Sequence, residues 1–298
     1  MVIKKIKGNT FCIDTGMTYI PFYKINNKEI IMLDSGLAGE ETEGIEKLLE
    51  RHNLKLAAII CSHAHVDHVG NNAYFKEKYN CIIAMPEYEA FICSSIDNLK
   101  FYYGYQTLSD LKENFGNMVC KTDVMILDNQ DYICVYGIKF KIIHTPGHSP
   151  AHICIVTPDD VVYLGDSLIS YEVMEGAKMP YTYTISKDLK SKTKLYNFKY
   201  EKYIVAHKGI YSNITKLIED NVNFYRNIAA KIYNVINGSI TMETIVKSVI
   251  ENFDISISGI CKYIIMERIV RSYVEYLDEM KMIKLNIEDG FIKYSKVL

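Results

Sequence analysis

The chain has 298 residues, 49% of them hydrophobic and 23% charged, with a net charge of −2. That length allows one large α/β domain or a domain with an appendage, and the near-neutral balance excludes a general electrostatic attraction to nucleic acid. No apolar run is long enough to cross a bilayer, and the opening Met-Val-Ile-Lys-Lys-Ile-Lys has basic residues with no apolar stretch behind them, so a cytoplasmic protein is expected. The eight cysteines are scattered without a Cys-x-x-Cys. Cys61, Cys81, Cys134 and Cys154 sit in strand-like runs, which predicts buried, reduced thiols rather than disulfides or a thiolate metal site.

Three strands are predicted first, at Thr10 to Asp14, Ile20 to Ile25 and Glu29 to Leu33, forming an antiparallel meander that ends at Asp34-Ser35-Gly36. Ile45, Leu48 and Leu49 give residues 41–52 a helical spacing, and Leu54 to Cys61 reads as a buried strand. Directly after it comes Ser-His-Ala-His-Val-Asp-His, residues 62–68, with four metal-competent side chains in six residues out of only eight histidines in the chain. Imidazoles and a carboxylate crowded together lose hydration, and a divalent cation is the usual compensation. In an extended loop His63 and His65 can point to one side, while Asp67 and His68 follow as the chain turns into a helix, so one loop can feed two adjacent metals. A helix over 71–79 and a strand over 81–85 come next.

Residues 86–125 break this rhythm with helical stretches at 87–93 and 108–115 joined by the tyrosine-rich run 101–105. Two readings stand for the segment: a lid lining a substrate pocket, or a solvent-facing helical pair. Strands at 132–135 and 139–144 lead into Thr145-Pro146-Gly147-His148, a tight turn that presents His148. Strands at 152–156 and 161–164 lead to Gly165-Asp166, and the strand 203–206 to His207. Each of these ligand candidates ends a strand, where α/β folds place their sites.

His63-x-His65-x-Asp67-His68, then His148, Asp166 and His207, resemble the metallo-β-lactamase superfamily in its dinuclear, glyoxalase II-like arrangement, over about residues 10–210. The resemblance implies an α/β fold in which two mixed sheets form an αββα sandwich, with the 86–125 insertion inside a catalytic domain of residues 1–214. It implies that His63, His65 and His148 hold one metal, that Asp67, His68 and His207 hold the other, and that Asp166 bridges them. Asp34 matches the family's buttress of the histidine loop. Ser62 stands where Thr is commoner and Asn71 where a second Gly often lies; neither is a ligand. Two divalent ions, zinc first with iron or manganese as alternatives, would share a water and lower its pKa to about 7, and Asp67 would orient that water and shuttle its proton. Lys208 would either neutralise an anionic substrate group or remain solvated, and Tyr171, Tyr181 and Tyr183 are candidates for the pocket wall.

From Thr215 the pattern turns helical, at 215–236, 241–252 and 259–280, followed by a hairpin over 284–296. That order resembles the winged-helix tail of some members of the superfamily, including β-lactamase-like protein 2, an endoribonuclease. Residues 215–298 hold eleven Lys plus Arg against eleven Asp plus Glu, however, and no basic face. A packing or dimerising C-terminal domain is expected rather than a nucleic-acid reader. The function these readings favour is zinc-dependent hydrolysis of a small ester, thioester or lactone by a metal-bridging hydroxide. A phosphodiesterase or endoribonuclease and a mononuclear-iron sulfur dioxygenase of the same fold are the alternatives. The partner expected is a small-molecule substrate.

Overall fold

Val2–Lys7 (β1), Thr10–Asp14 (β2), Tyr19–Lys24 (β3) and Glu29–Leu33 (β4) form an antiparallel meander in the computed structural model, which describes residues 1–104 and 107–297. Tyr105, the last tyrosine of the run at 101–105, lies outside those residues. Lys55–Ile60 (β5), Ile82–Pro86 (β6) and Val124–Ile126 (β7) extend the meander as parallel strands, giving a seven-stranded sheet in sequence order. The crossovers carry the helices Glu40–Arg51 (α1), Val66–Val69 (α2) and Asn72–Tyr79 (α3), then Glu87–Ile92 (α4), Ile96–Tyr103 (α5) and Leu108–Phe115 (α6). The segment read as a helical insertion is therefore helical only as far as Met118, where a 3-10 turn ends, and its tail rejoins the sheet as β7.

The second sheet has six strands: Tyr132–Val135 (β8), Ile138–His144 (β9), Ile153–Val156 (β10), Val161–Tyr163 (β11), Lys202–Val205 (β12) and Gly209–Tyr211 (β13). All its pairs are antiparallel except β11 with β12. Ile31, Leu33, Ala58 and Ile60 of the first sheet meet Phe140, Ile142, Ile155 and Tyr163 of the second in one buried cluster, which is the middle of the sandwich. Helices cover the outer faces: Ile45, Leu49 and Phe75 lie on the first sheet. Leu217 and Ile218 lie against Tyr203 and Val205 of the second. The mixed-sheet sandwich expected from the sequence is thus observed.

All eight cysteines are free, and one expectation about them fails. Cys134 is exposed, because β8 is an edge strand whose faces alternate and Ile133 and Val135 take the inward positions. Between β11 and β12 lie Tyr171–Gly176 (α7) and Ile185–Lys194 (α8), neither of which the sequence pattern predicts. Thr215–Val235 (α9), Met242–Asn252 (α10) and Ile260–Glu279 (α11) follow, then the hairpin Ile283–Glu288 (β14) and Phe291–Lys296 (β15), with Ile240 bridged to Tyr294. Tyr225, Val246, Val270 and Tyr273 of these helices share one apolar cluster with Ile169, Ile185 and Leu189, so the C-terminal helical region is fused to the sandwich through a common core. No helix among the described residues is long and apolar enough to cross a membrane.

Candidate metal centre

Four strand ends, those of β5, β9, β11 and β12, carry the polar side chains to one edge of the sandwich. After β5 the chain bends at Ser62 and runs to His65, which caps α2 in an extended conformation with φ −106° and ψ 153°. His63 and His65 consequently turn their rings to one side: His63 Nε2 lies 2.8 Å from His65 Nδ1, which is 3.0 Å from His148 Nε2. The first turn of α2 supplies Asp67 and His68. His207 Nε2 sits 3.2 Å from Asp67 Oδ2 and 3.4 Å from Asp166 Oδ2, while His68 Nε2 is 3.6 Å from Asp166 Oδ1. All seven predicted residues thus fall in two adjoining groups, His63, His65, His148 and Asp166 beside Asp67, His68 and His207, with the donor atoms of each group within 4.8 Å of one another.

Hydrogen bonding fixes which ring atoms face the centre. Asp34 accepts the Ser62 amide at Oδ1, and the Ser62 hydroxyl, His68 Nδ1–H and Tyr163 hydroxyl at Oδ2. Because the Ser62 hydroxyl donates to Asp34, it accepts from His63 Nδ1, 2.9 Å away. His63 is thereby left with its Nε2 lone pair directed inward, while His68 turns its Nε2 toward the carboxylates of Asp67 and Asp166. His68 Nε2 and Asp166 Oδ1 are buried without a hydrogen-bond partner. His63 Nε2, His65 Nδ1 and His148 Nε2 form a run of converging ring nitrogens 2.8 and 3.0 Å apart. Their spacing is close to the edge of about 3.3 Å expected for a tetrahedron built on metal–nitrogen bonds of 2.0–2.1 Å. The donor set therefore fits a divalent metal.

Electrostatics divide the two groups. Burial, reinforced by neighbouring imidazoles, pushes His63 well below the usual histidine range, and burial likewise lowers His148 and brings His65 down to about 4. The Asp166 carboxylate does the opposite to His207, which is pushed up to about 10. Burial opposes protonation of His68, but Asp166 and Asp67 outweigh it and raise that ring too. Burial would also raise the two carboxylates; His68 beside Asp67, and His207 and His68 beside Asp166, hold both below their ordinary range.

Two further residues at the centre escape sequence reasoning. His152 accepts the Asp166 amide at Nε2, so its proton sits on Nδ1 and is donated to Thr145 Oγ1. Glu89 of α4, fully buried, accepts the Ala64 amide at one oxygen, and the Ser149 hydroxyl and Ala151 amide at the other. It ties the His63–His68 loop to the His148 turn, and burial raises its pKa against the pull of those three bonds. Glu89→Ala strands three buried donors at about 1–3 kcal/mol each. We expect a loss of about 3 kcal/mol or more in urea unfolding and a fall of at least ~10-fold in metal affinity by chelator competition, with Glu89→Gln losing less of both. Unchanged metal affinity in the alanine variant would remove Glu89 from the centre's support.

Close approach also constrains the turns. At Gly147, φ +137°, a Cβ would lie 2.1 Å from the Asp188 backbone nitrogen, and at Gly165, φ +50°, 2.7 Å from His152 Nε2. Neither turn can hold another residue without moving His148 or Asp166. Of the tyrosines after Asp166, Tyr181 sets its ring edge-on 5.1 Å from that of His65, and Tyr183 packs on Tyr102 of α5. Tyr171 instead turns outward to donate to Asp220. Lys208 pairs at the surface with Glu172. Asn71 bonds the carbonyls of Ser35 and Leu37, bracing the turn after β4.

Residues 10–96 match the Metallo-beta-lactamase superfamily. A hydroxyacylglutathione hydrolase of Pelagibacter ubique is 27% identical over 225 residues, covering 71% of this chain and 81% of that protein. An uncharacterized protein of Aquifex aeolicus is 28% identical over 142 residues, 47% of this chain and 60% of its own, so the chain spans less than two thirds of that relative. Among solved structures, a metallo-beta-lactamase family protein from Thermus thermophilus superposes with a TM-score of 0.71 at 15% identity, covering 97% of this chain and 99% of that one. At that identity the likeness speaks for the fold alone, which extends through the C-terminal helical region. The sandwich and the donor clusters thus agree with the sequence match, which places a metallo-beta-lactamase superfamily segment at residues 10–96.

Proposed function

We propose that the protein hydrolyses a small thioester, or a related ester or lactone, at a centre of two divalent ions, zinc in the first instance. His63, His65 and His148 would hold one ion, Asp67, His68 and His207 the other, with Asp166 between them. The observation that carries this reading is the pair of adjoining donor groups meeting at Asp166. The similarity to a hydroxyacylglutathione hydrolase supports the thioester. When bound, the metals supply Lewis acidity toward the carbonyl and a water of lowered pKa. Asp67, whose side chain is 30% exposed and therefore reachable from solvent, takes the proton of the attacking water and delivers it to the departing sulfur. Water oxygen bonds to the acyl carbon, the carbon–sulfur bond breaks, and the products are a carboxylic acid and a thiol.

The C-terminal region from Thr215 we read as an appendage in the element order of a winged helix, with the Ile240 bridge and the hairpin β14–β15 as its sheet and a core shared with α8. Its role in this reading is to close the site. One face of α11 packs inward: Met266, Ile269, Val270 and Tyr273 are buried, and Ser272 donates to the Tyr183 carbonyl.

The test is elemental analysis of protein purified without added metal, with His63→Ala and His207→Ala beside it, followed by a screen of thioesters, esters, lactones and a single-stranded oligonucleotide. Close to two zinc ions per chain is expected, with each variant losing about one ion and activity falling by roughly 10³-fold or more. One iron per chain, indifferent to loss of His207, would sink the two-metal reading and point to oxygen chemistry.

A further inference from the structure

Arg268 of α11 stands in a cage of tyrosines. Its guanidinium carbon is 4.2 Å from the Tyr102 ring centre, 5.4 Å from Tyr103 and 5.5 Å from Tyr181. The rings attract the charge through their π faces. Nη1 is buried without a hydrogen-bond partner, and no ion pair involves this residue among those described; the neighbouring Glu267 is taken by Arg271. A cation withdrawn from water in this way costs free energy unless an anion joins it. The cage also borders the metal centre. Tyr181 lies edge-on to His65 at 5.1 Å and to His148 at 6.0 Å, and its hydroxyl meets that of Tyr102 at 3.1 Å. Three distant stretches meet here, α5, the loop after Asp166 and α11.

We propose that Arg268 is the anion-recognition subsite of this centre, seating a carboxylate or phosphate of the substrate while the scissile carbonyl faces the metals. The subsite rests on the hydrolase reading for its place in a reaction, but not for its affinity. Arginine suits the task because its planar fork matches a two-oxygen anion, whereas a lysine in the same cage would present a single point charge. Arg268 is a specificity residue in this scheme, and the C-terminal region completes the substrate pocket.

Binding and turnover separate the two readings. The metal-free full-length chain is titrated calorimetrically with glutarate and with phenyl phosphate, removing the metals' own pull on anions. Wild type should bind at least one of them one-to-one, and Arg268→Met and Arg268→Gln should each weaken that binding roughly tenfold or more, whereas a distant control, Arg226→Met, should not. Which probe binds better assigns carboxylate or phosphate. With the metal-loaded protein, the S-acetyl thioester of 3-mercaptopropionate should show a KM raised about tenfold by Arg268→Gln at nearly constant kcat, and its methyl ester no change. Should wild type bind neither probe, or the variants bind as wild type does, Arg268 is only a tether between α11 and α5 and the proposal falls. Arg268-dependent binding without hydrolysis of either thioester upholds the subsite and sinks the thioester reading instead.

Discussion

Asp34→Ala is expected to lose both the metals and much of the stability of the fold. The Asp34 side chain is fully enclosed and accepts from the Ser62 amide and hydroxyl, from His68 Nδ1 and from the Tyr163 hydroxyl, the last across the sandwich from the second sheet. Each buried donor left without an acceptor costs about 1–3 kcal/mol, so the total should reach about 4 kcal/mol or more, in the range reserved for broken buried networks. The metals suffer separately. Without Asp34 the His68 ring has no fixed tautomer, and Ser62 no longer directs His63, so affinity should fall ~10–100-fold. Asp34 also has φ +66°, a conformation favoured by glycine. Asp34→Gly would relieve that strain while stranding the same donors, and it should be nearly as damaging as the alanine. Urea unfolding and chelator competition on both variants measure the two effects. A glycine variant that keeps its metal would show that the backbone of this turn, not its carboxylate, matters.

How much of this centre was legible in the sequence follows from how local each part is. Four of its seven residues fall within six positions, and the other three each close a strand marked by an apolar run and a turn, so chain order alone exposes them. The strands themselves were readable because those buried on both faces, such as β5 and β10, are almost continuously apolar. β1 was not, since its sequence Val-Ile-Lys-Lys-Ile-Lys reads as a basic start and its role comes from pairing with β2. The helix α8 hid for a related reason: Ile185 and Leu189 pack inward, but four lysines make its composition that of a solvated stretch. Even Lys192 of that helix is buried, against Asp188 and the Ser167 carbonyl. Glu89 and Arg268 carry no local signal at all. Glu89 meets Ser149 across 60 positions, and Arg268 meets tyrosines more than eighty positions upstream. A glutamate in a short helix and an arginine among balanced charges look ordinary until the fold delivers their neighbours. The segment 86–125 shows the same limit. Leu99, Leu111 and Phe115 bury it against the first sheet, while Tyr102 reaches the Tyr181 that borders His65, so it takes part in both core and site.

The unequal protonation of the two donor groups predicts opposite responses to pH with and without metal. In the metal-free protein His207 titrates at about 10 against an ordinary 6.5, held up first by Asp166, and His68 is raised as well. A histidine whose folded pKa is raised stabilises the fold fully below its unfolded pKa and loses that contribution as pH climbs through the folded value. Metal-free protein should therefore lose stability between about pH 6.5 and 10, with a fall in Tm of about 5 °C or more across pH 6.5 to 9.5. Metal binding runs the other way. His63, His65 and His148 are neutral at pH 7, so an ion among them displaces few protons, whereas an ion at Asp67, His68 and His207 must expel the protons of two imidazoles. Affinity of the second ion should rise about tenfold per displaced proton for each pH unit over this interval, while that of the first stays nearly flat. Calorimetry in buffers of different ionisation enthalpy counts those protons directly. About two released with the second ion at pH 7 and close to none with the first is the expected result. Equal release at both steps would mean that the carboxylates do not divide the centre as the geometry requires.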